Sequence, residues 1–385
     1  MSELSFMEKL LDGTVVKWKP LQDIANLKNG KDWKKLGTGD VPVYGSGGVM
    51  GYVDTYSYDK PTVLIPRKGS ITNIFYTESP IWNVDTIYYT EIDETQIIPK
   101  FLYYFIKTID LMKLDTGSGR PSLTQAILNK IQVPVPQQLE VQAEIVRILD
   151  AFTALTTELT TELNGRQKQY THYRDQLLTF TEHDVEWKSL DDIVSFRRGS
   201  FPQPYGNSEW YDGEDSMPFV QVADVSDFGF SLNSNTNRRI SKLAQPKSVF
   251  VKAGTVIVSL QGTIGRVAIT QYDCYVDRTL AIFTDYKEDI NKKYFAYQLK
   301  NKFDIEKENA RGSTLKTITK EEFSKFEIPI PSLPEQERIV AILDKFDTLT
   351  HSITTGLPRE IELRQKQYEY YRDLLLTFPQ PEGTA

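Results

Sequence analysis

At 385 residues, with 40% hydrophobic and 12% aromatic side chains, the chain has length for two or three domains with real cores and is too apolar to be disordered. No apolar run approaches membrane-spanning length, the opening MSELSFMEKLLDG is acidic where a secretion signal is basic, and Cys274 stands alone, which excludes an internal disulfide; a cytoplasmic protein is expected. The net charge of −7 argues against a nucleic-acid partner until it is located: residues 137–182 and 332–385 carry −6 of it, so 1–136 and 183–331 are nearly balanced and can each present a basic face.

Taken in order, the chain is written twice. WKPLQDIANLKNG from Trp18 returns as WKSLDDIVSFRRG from Trp187. The β-branched runs TVLIPRK from Thr62 and TVIVSLQ from Thr255 lead into loops beginning at Gly69 and Gly262. Val84-Asp85 corresponds to Val276-Asp277, each opening a strand-like segment; KFLYYFIKT and KKYFAYQLKN then read as helix. IQVPVP ends at Pro136 as FEIPIP ends at Pro331, and these alternating prolines are expected to form stiff extended linkers. EIVRILDAF matches RIVAILDKF. Finally RQKQYTHYRDQLLTF from Arg166 matches RQKQYEYYRDLLLTF from Arg364 at twelve of fifteen positions. One module of globular domain plus long helix has been duplicated. The boundaries fall at 1–136, 137–182, 183–331 and 332–385.

The helical regions carry one apolar stripe each. Ile145, Leu149, Phe152, Leu155, Leu159, Leu163, Tyr170, Tyr173, Leu177 and Phe180 step mostly by threes and fours, as do Ile339, Ile342, Phe346, Leu349 and Ile353, then Tyr368, Tyr371, Leu375 and Phe378. Two such stripes predict two helices side by side and antiparallel, each about 60 Å long. Gly356-Leu357-Pro358 predicts a kink in the second, and Asn164-Gly165 a weaker interruption in the first. Thr156–Leu163 is TTEL in tandem. Each such unit adds about 6 Å and about 40° of rotation, which makes it either a ruler or ordinary amphipathic helix.

Catalytic signatures are missing. His172, His183 and His351 form no ligand-spaced cluster, no GxxxxGK[ST] loop occurs, and the chain has no Pro-Pro dipeptide, which removes the signature of an amino-methyltransferase. Val43–Val49 is Gly-rich but lacks GxGxxG, leaving a tight turn or a loop whose backbone approaches phosphates. Arg67-Lys68-Gly69-Ser70 and the loop from Gln261 to Arg266 occupy equivalent places and offer cationic, amide and hydroxyl donors, which suit phosphate oxygens and base edges.

With the duplicated module, the paired proline boundaries, EIVRILDAF with RIVAILDKF, and RQKQY..YRD.LLTF at both helix ends, the chain resembles the specificity (S) subunit of type I restriction-modification enzymes over essentially its full length. The resemblance implies an α+β fold in which two similar target-recognition domains are separated by two long antiparallel helices, coiled-coil-like, with an internal pseudo-twofold repeat. It implies that each domain reads half of a split site in double-stranded DNA. Candidate DNA contacts are Tyr44, Ser46, Arg67, Lys68, Ser70, Arg120, Arg197, Arg198, Gln261, Thr263, Arg266 and Arg311. It also implies that the helices set the half-site spacing and dock two modification (methyltransferase) subunits. Candidate contacts there are Arg166, Gln169, Tyr170, Tyr173, Arg174, Arg364, Gln367, Tyr368, Tyr371 and Arg372. S-adenosylmethionine, ATP and magnesium are expected only on the modification and restriction subunits, with no catalytic, cofactor or metal site in this chain. The acidic charge supports a rival reading, a scaffold that pairs partner proteins without touching DNA.

Overall fold

The computed structural model describes residues 9–11, 13–115, 119, 121–309, 318–352 and 354–379. Two compact units emerge. The first gathers the chain up to Glu158 with the residues from Glu362 onward; the second runs from Leu159 to Ile361. Each holds one globular domain and stretches of both helical regions.

In the first unit the main sheet has the order Ala25–Lys28, Ile87–Ile92, Thr62–Pro66, Phe75–Thr77, all antiparallel. The second unit repeats that order with Val194–Arg198, Leu280–Tyr286, Val256–Ser259 and Val267–Ile269. The β-branched runs are buried at every position because both of their faces are covered. Val63 and Ile65 pack into the core around Phe101, Leu102 and Phe105, while Leu64 faces a separate cluster with Ile81 and Ile87. Val256 and Val258 against Ile257 divide in the same way. A smaller sheet in each unit contains the one parallel pairing, Val41–Gly45 with Trp82–Asn83 and Met217–Val220 with Cys274–Val276. The remaining strand pairings among the described residues are antiparallel.

The proline-bearing stretches are strands rather than linkers. Gln132–Pro136 pairs with Val16–Pro20, and Glu327–Ile330 with Glu186–Ser189. Pro134 and Pro136 fall on alternate positions, so their missing N–H groups can face away from the single partner strand of this two-stranded sheet.

The first long helix, Leu139–Leu178, is continuous for forty residues, about 60 Å. The expected interruption at Asn164-Gly165 does not occur; a side chain at Gly165 would meet open space, and the ladder passes through it. In the second helical region the expected kink is a full break between Leu333–His351 and Leu357–Leu376. A Cβ at Gly356 would lie 2.3 Å from the Thr348 carbonyl oxygen, so only glycine fits. Its own carbonyl accepts from Arg359 and Glu360 to start the next helix, with Pro358 in the first turn.

Helix contacts within each unit run antiparallel. In the second, Tyr170 meets His351, Tyr173 stacks on Phe346 (5.5 Å, 28°), and Leu178 joins Ile339 and Leu343. In the first, Phe152 stacks on Tyr371 (5.2 Å, 22°), the counterpart pair in the repeat, and Leu375, Leu376 and Phe378 close over Ile145, Leu149 and Phe101. The LLTF ending of one copy thus completes the second unit, and that of the other copy completes the first. Leu155, Leu159 and Leu163 of the TTEL stretch are half-buried, with Glu158 and Glu162 exposed.

Candidate nucleic-acid interface

Each domain is fixed to its helix by the same buried clamp. Gln142, fully buried, accepts from the Ile98 N–H (2.8 Å) and donates to the Gln96 (3.0 Å) and Pro136 (2.8 Å) carbonyls. Gln336, also fully buried, accepts from the Asn291 N–H and donates to the Pro331 carbonyl, both at 2.8 Å. Two turns on, Asp150 accepts from Lys100 (2.8 Å) and the Tyr104 hydroxyl (2.5 Å); Asp344 accepts from Lys293 (2.7 Å) and the Tyr297 hydroxyl (2.9 Å). Burial first, then neighbouring groups that include these carboxylates, pushes both tyrosine hydroxyls far above their ordinary range, so they remain donors.

A loop follows the second-from-edge strand Thr62–Pro66 or Val256–Ser259 of each main sheet and is held by backbone hydrogen bonds. Arg67 N–H donates to the Thr86 carbonyl (2.9 Å) and Leu260 N–H to that of Thr279 (2.8 Å); Gly69 and Gly262 follow at φ +80° and +72°. Facing them, Val84 N–H donates to the Tyr44 carbonyl as Asp277 N–H donates to that of Val220. A Cβ at Gly30 would lie 2.1 Å from the Val84 oxygen and one at Gly199 2.2 Å from the Val276 oxygen, so both glycines are required by the close chain crossing. The backbone hydrogen bonds, including Lys31 N–H to the Asn83 carbonyl and Ser200 N–H to that of Val276, align Asn83 with Val276 and Val84 with Asp277, one residue away from the sequence match of Val84-Asp85 with Val276-Asp277. In the structural register, Asp85 stands where the second unit has Arg278, Lys68 where it has Gln261, and Arg67 where it has Leu260.

In the first unit the structure brings together Ser46, Gly69 and Thr86. Ser46 N–H donates to Thr86 Oγ1 (3.2 Å), and a Cβ on Gly69 would lie 3.3 Å from Ser46 Oγ. Tyr44 packs half-buried against Phe75, while Lys68 and Ser70 are exposed beside them. Arg67 is half-buried, reaching Asn29 Oδ1 (3.2 Å) with its guanidinium over the Tyr88 ring.

In the second unit Gln261, Gly262, Gln221, Tyr205, Arg278 and Thr279 line an open pocket of about 470 Å³. Thr263 is exposed on the same loop, and Arg197 is exposed on its strand. Arg198 is spent on the Ile318 carbonyl (3.2 Å). Arg266 turns inward: it pairs with Asp227 (2.6 Å) and donates to the Val222 (3.3 Å) and Val225 (3.4 Å) carbonyls. Asn73, its counterpart, makes the equivalent tie to the Ser46 carbonyl. Arg67 and Arg266, both candidate DNA contacts, thus occupy different places in their loops. Arg120 and Arg311 lie outside the described residues. Sequence reasoning missed Arg278, Gln221 and Tyr205: matching Asp85 to Asp277 leaves Arg278 without a counterpart, and Tyr205 and Gln221 lie outside the matched segments.

On the helices, the tyrosines named as candidate partner contacts make ring contacts within their own unit: Tyr170 on Phe346, Tyr371 on Phe152, Tyr368 against the first core, and Tyr173 on Phe346 while remaining exposed. Their polar neighbours repeat one geometry. Arg166 donates to Gln169 (2.9 Å) and Arg364 to Gln367 (2.8 Å), and Arg174 and Arg372 pair with Asp175 and Asp373.

The family model described as the type I restriction modification DNA specificity domain matches residues 15–166 and 182–363. The chain belongs to this specificity family. As a type I specificity subunit it is 36% identical to the EcoR124I/EcoR124II specificity subunit of Escherichia coli, covering 100% of both chains. It is 34% identical to a putative type I restriction enzyme specificity subunit of Haemophilus influenzae, over 97% of this chain and 98% of that one. The fold is shared with the S subunit of a type I restriction-modification system from M. genitalium (TM-score 0.62, 16% identity, 96% and 98% covered). It is shared also with the HsdS subunit from Thermoanaerobacter tengcongensis (TM-score 0.51, 18% identity, 94% and 96% covered). Among the described residues of the specificity subunit, no group of three or more His, Cys, Asp or Glu could hold a metal ion, and no helix is long and apolar enough to cross a membrane.

Proposed function

We propose that this specificity subunit reads a bipartite site in duplex DNA, one half-site per recognition domain, and docks two modification subunits on its helices while performing no chemistry itself. S-adenosylmethionine, ATP and magnesium belong, in this reading, to the modification and restriction subunits. The observation that carries it is the pair of equivalent loops. One backbone frame, fixed by the same backbone hydrogen bonds, presents Lys68 and Asp85 in one unit and Gln261 and Arg278 in the other. A shared frame with different side chains suits two half-sites of different sequence, whereas a scaffold that pairs identical proteins would have no use for the difference. The RQKQY..YRD copies, alike in sequence and in side-chain geometry, suit two equal protein contacts.

The continuous helix through the TTEL tandem supports a fixed separation between half-sites. Inserting one further Thr-Thr-Glu-Leu unit after Leu163 adds about 6 Å and about 40° of rotation. The methylated motif of cells carrying the variant with its partner subunits should keep both half-sites and change its spacer. An unchanged spacer would refute the ruler.

A further inference from the structure

Arg278 belongs to a built platform rather than to a solvated loop. Asp277 beside it is 2% exposed and fully engaged: one oxygen accepts from the Thr279 N–H (2.9 Å) and hydroxyl (2.5 Å), the other from the Tyr205 hydroxyl. Burial and that hydrogen bond push the Tyr205 hydroxyl well above its ordinary range, so it stays a donor to Asp277. The ring so fixed lies under the Arg278 guanidinium, 5.0 Å from its centroid, and packs at a tilt of 32° against Phe201. An exposed arginine is thereby held in one direction, beside the amides of Gln261 and Gln221, at the mouth of the pocket. The Gln261 loop is rigid as well: Ser259 Oγ donates to the Thr263 carbonyl and accepts from the Arg266 N–H, and a Cβ at Gly265 would lie 2.6 Å from Phe303.

Building on the half-site reading, we propose that Arg278 reads a guanine in the half-site of the second domain, its planar fork donating to O6 and N7 in the major groove, with Gln261 placed to read the adjoining base. A preorganised guanidinium matches the two acceptors of guanine, while adenine offers only N7 with a donor beside it. Stacking on Tyr205 lowers the ordering cost, as a lone surface arginine would not. The first domain puts a carboxylate, Asp85, at this position, which accepts from cytosine N4 and repels guanine O6. The two domains therefore impose opposite demands at equivalent places.

The test uses the assembled complex with its modification subunits. Arg278→Gln and, as a milder variant, Arg278→Lys are compared with the native chain in two measurements: the genome-wide methylated motif, and binding to duplexes in which each base pair of the motif is replaced in turn. Arg278→Gln should lose about ten- to a hundredfold discrimination at a single G·C pair, leaving the spacer and every other position intact. Tyr205→Phe, which keeps the ring and removes the hydroxyl, should weaken discrimination at that same pair. Lys68→Ala should act only in the other half-site. An unchanged motif overturns the proposal, and so does a uniform loss across all sequences with a shallower salt dependence, the signature of a phosphate contact. A native motif that is not split would instead sink the bipartite reading on which the proposal rests.

Discussion

Replacing Gln142 by leucine tests whether the clamp holds the first domain to its helix. The substitution roughly preserves volume but removes three hydrogen bonds, each contributing about 1 kcal/mol net, and leaves the Ile98 N–H buried without its acceptor at a cost of about 1–3 kcal/mol. Leucine's added apolar burial returns about 1 kcal/mol, so the net loss is about 3–5 kcal/mol. Gln336→Leu removes two bonds and should cost about 1 kcal/mol less. Hydrogen exchange read by mass spectrometry separates the units. Protection of the Pro99–Ile106 helix should fall by about two to four orders of magnitude in Gln142→Leu, while the Lys292–Asn309 helix is untouched. A fall below tenfold, or equal losses in both units, would refute the reasoning.

Further consequences can be measured directly. Because Arg266 is committed to Asp227 and two carbonyls, Arg266→Ala should lower the thermal midpoint of the chain and weaken binding to all DNA sequences alike, whereas Lys68→Ala should leave the midpoint unchanged. Charge reversal at both Arg166 and Arg364 should abolish co-purification of the modification subunit; unchanged co-purification would count against the repeated motif as its seat. Burial, then the charge of Asp273, pushes the Cys274 thiol up to about 12, so iodoacetamide at pH 8 should label it only after denaturation.

Much of this architecture was legible because it repeats. The three-and-four spacing from Ile145 to Phe180 marks a helix whichever neighbour it finds, and the second stripe from Ile339 to Phe378 pointed to a pair of antiparallel helices. The prolines misled, because a two-stranded sheet tolerates residues that a wider sheet rejects. Gly165 misled as well, since an exposed glycine in a long ladder costs only about 1 kcal/mol. The clamp was missed although its signal was present: Gln142 and Asp150, like Gln336 and Asp344, are eight residues apart, and Lys100 and Tyr104, like Lys293 and Tyr297, are four. Glutamine and aspartate on a polar helix look solvated until their partners are known. The Arg266 site failed for a related reason: its guanidinium is tied to the carboxylate of Asp227 and to carbonyls of a segment some forty residues away.

The tail that closes the first unit has a consequence for synthesis. Residues from Glu362 onward belong with the chain up to Glu158, so about two hundred residues must be translated between the two contributions, roughly 10–40 s on a ribosome. During that interval Ile145, Leu149 and Phe152 have no Leu375, Leu376 or Phe378 to cover them. The half of the protein begun first is therefore finished last, and its nascent form presents a sticky seam for which another chain's helix could compete.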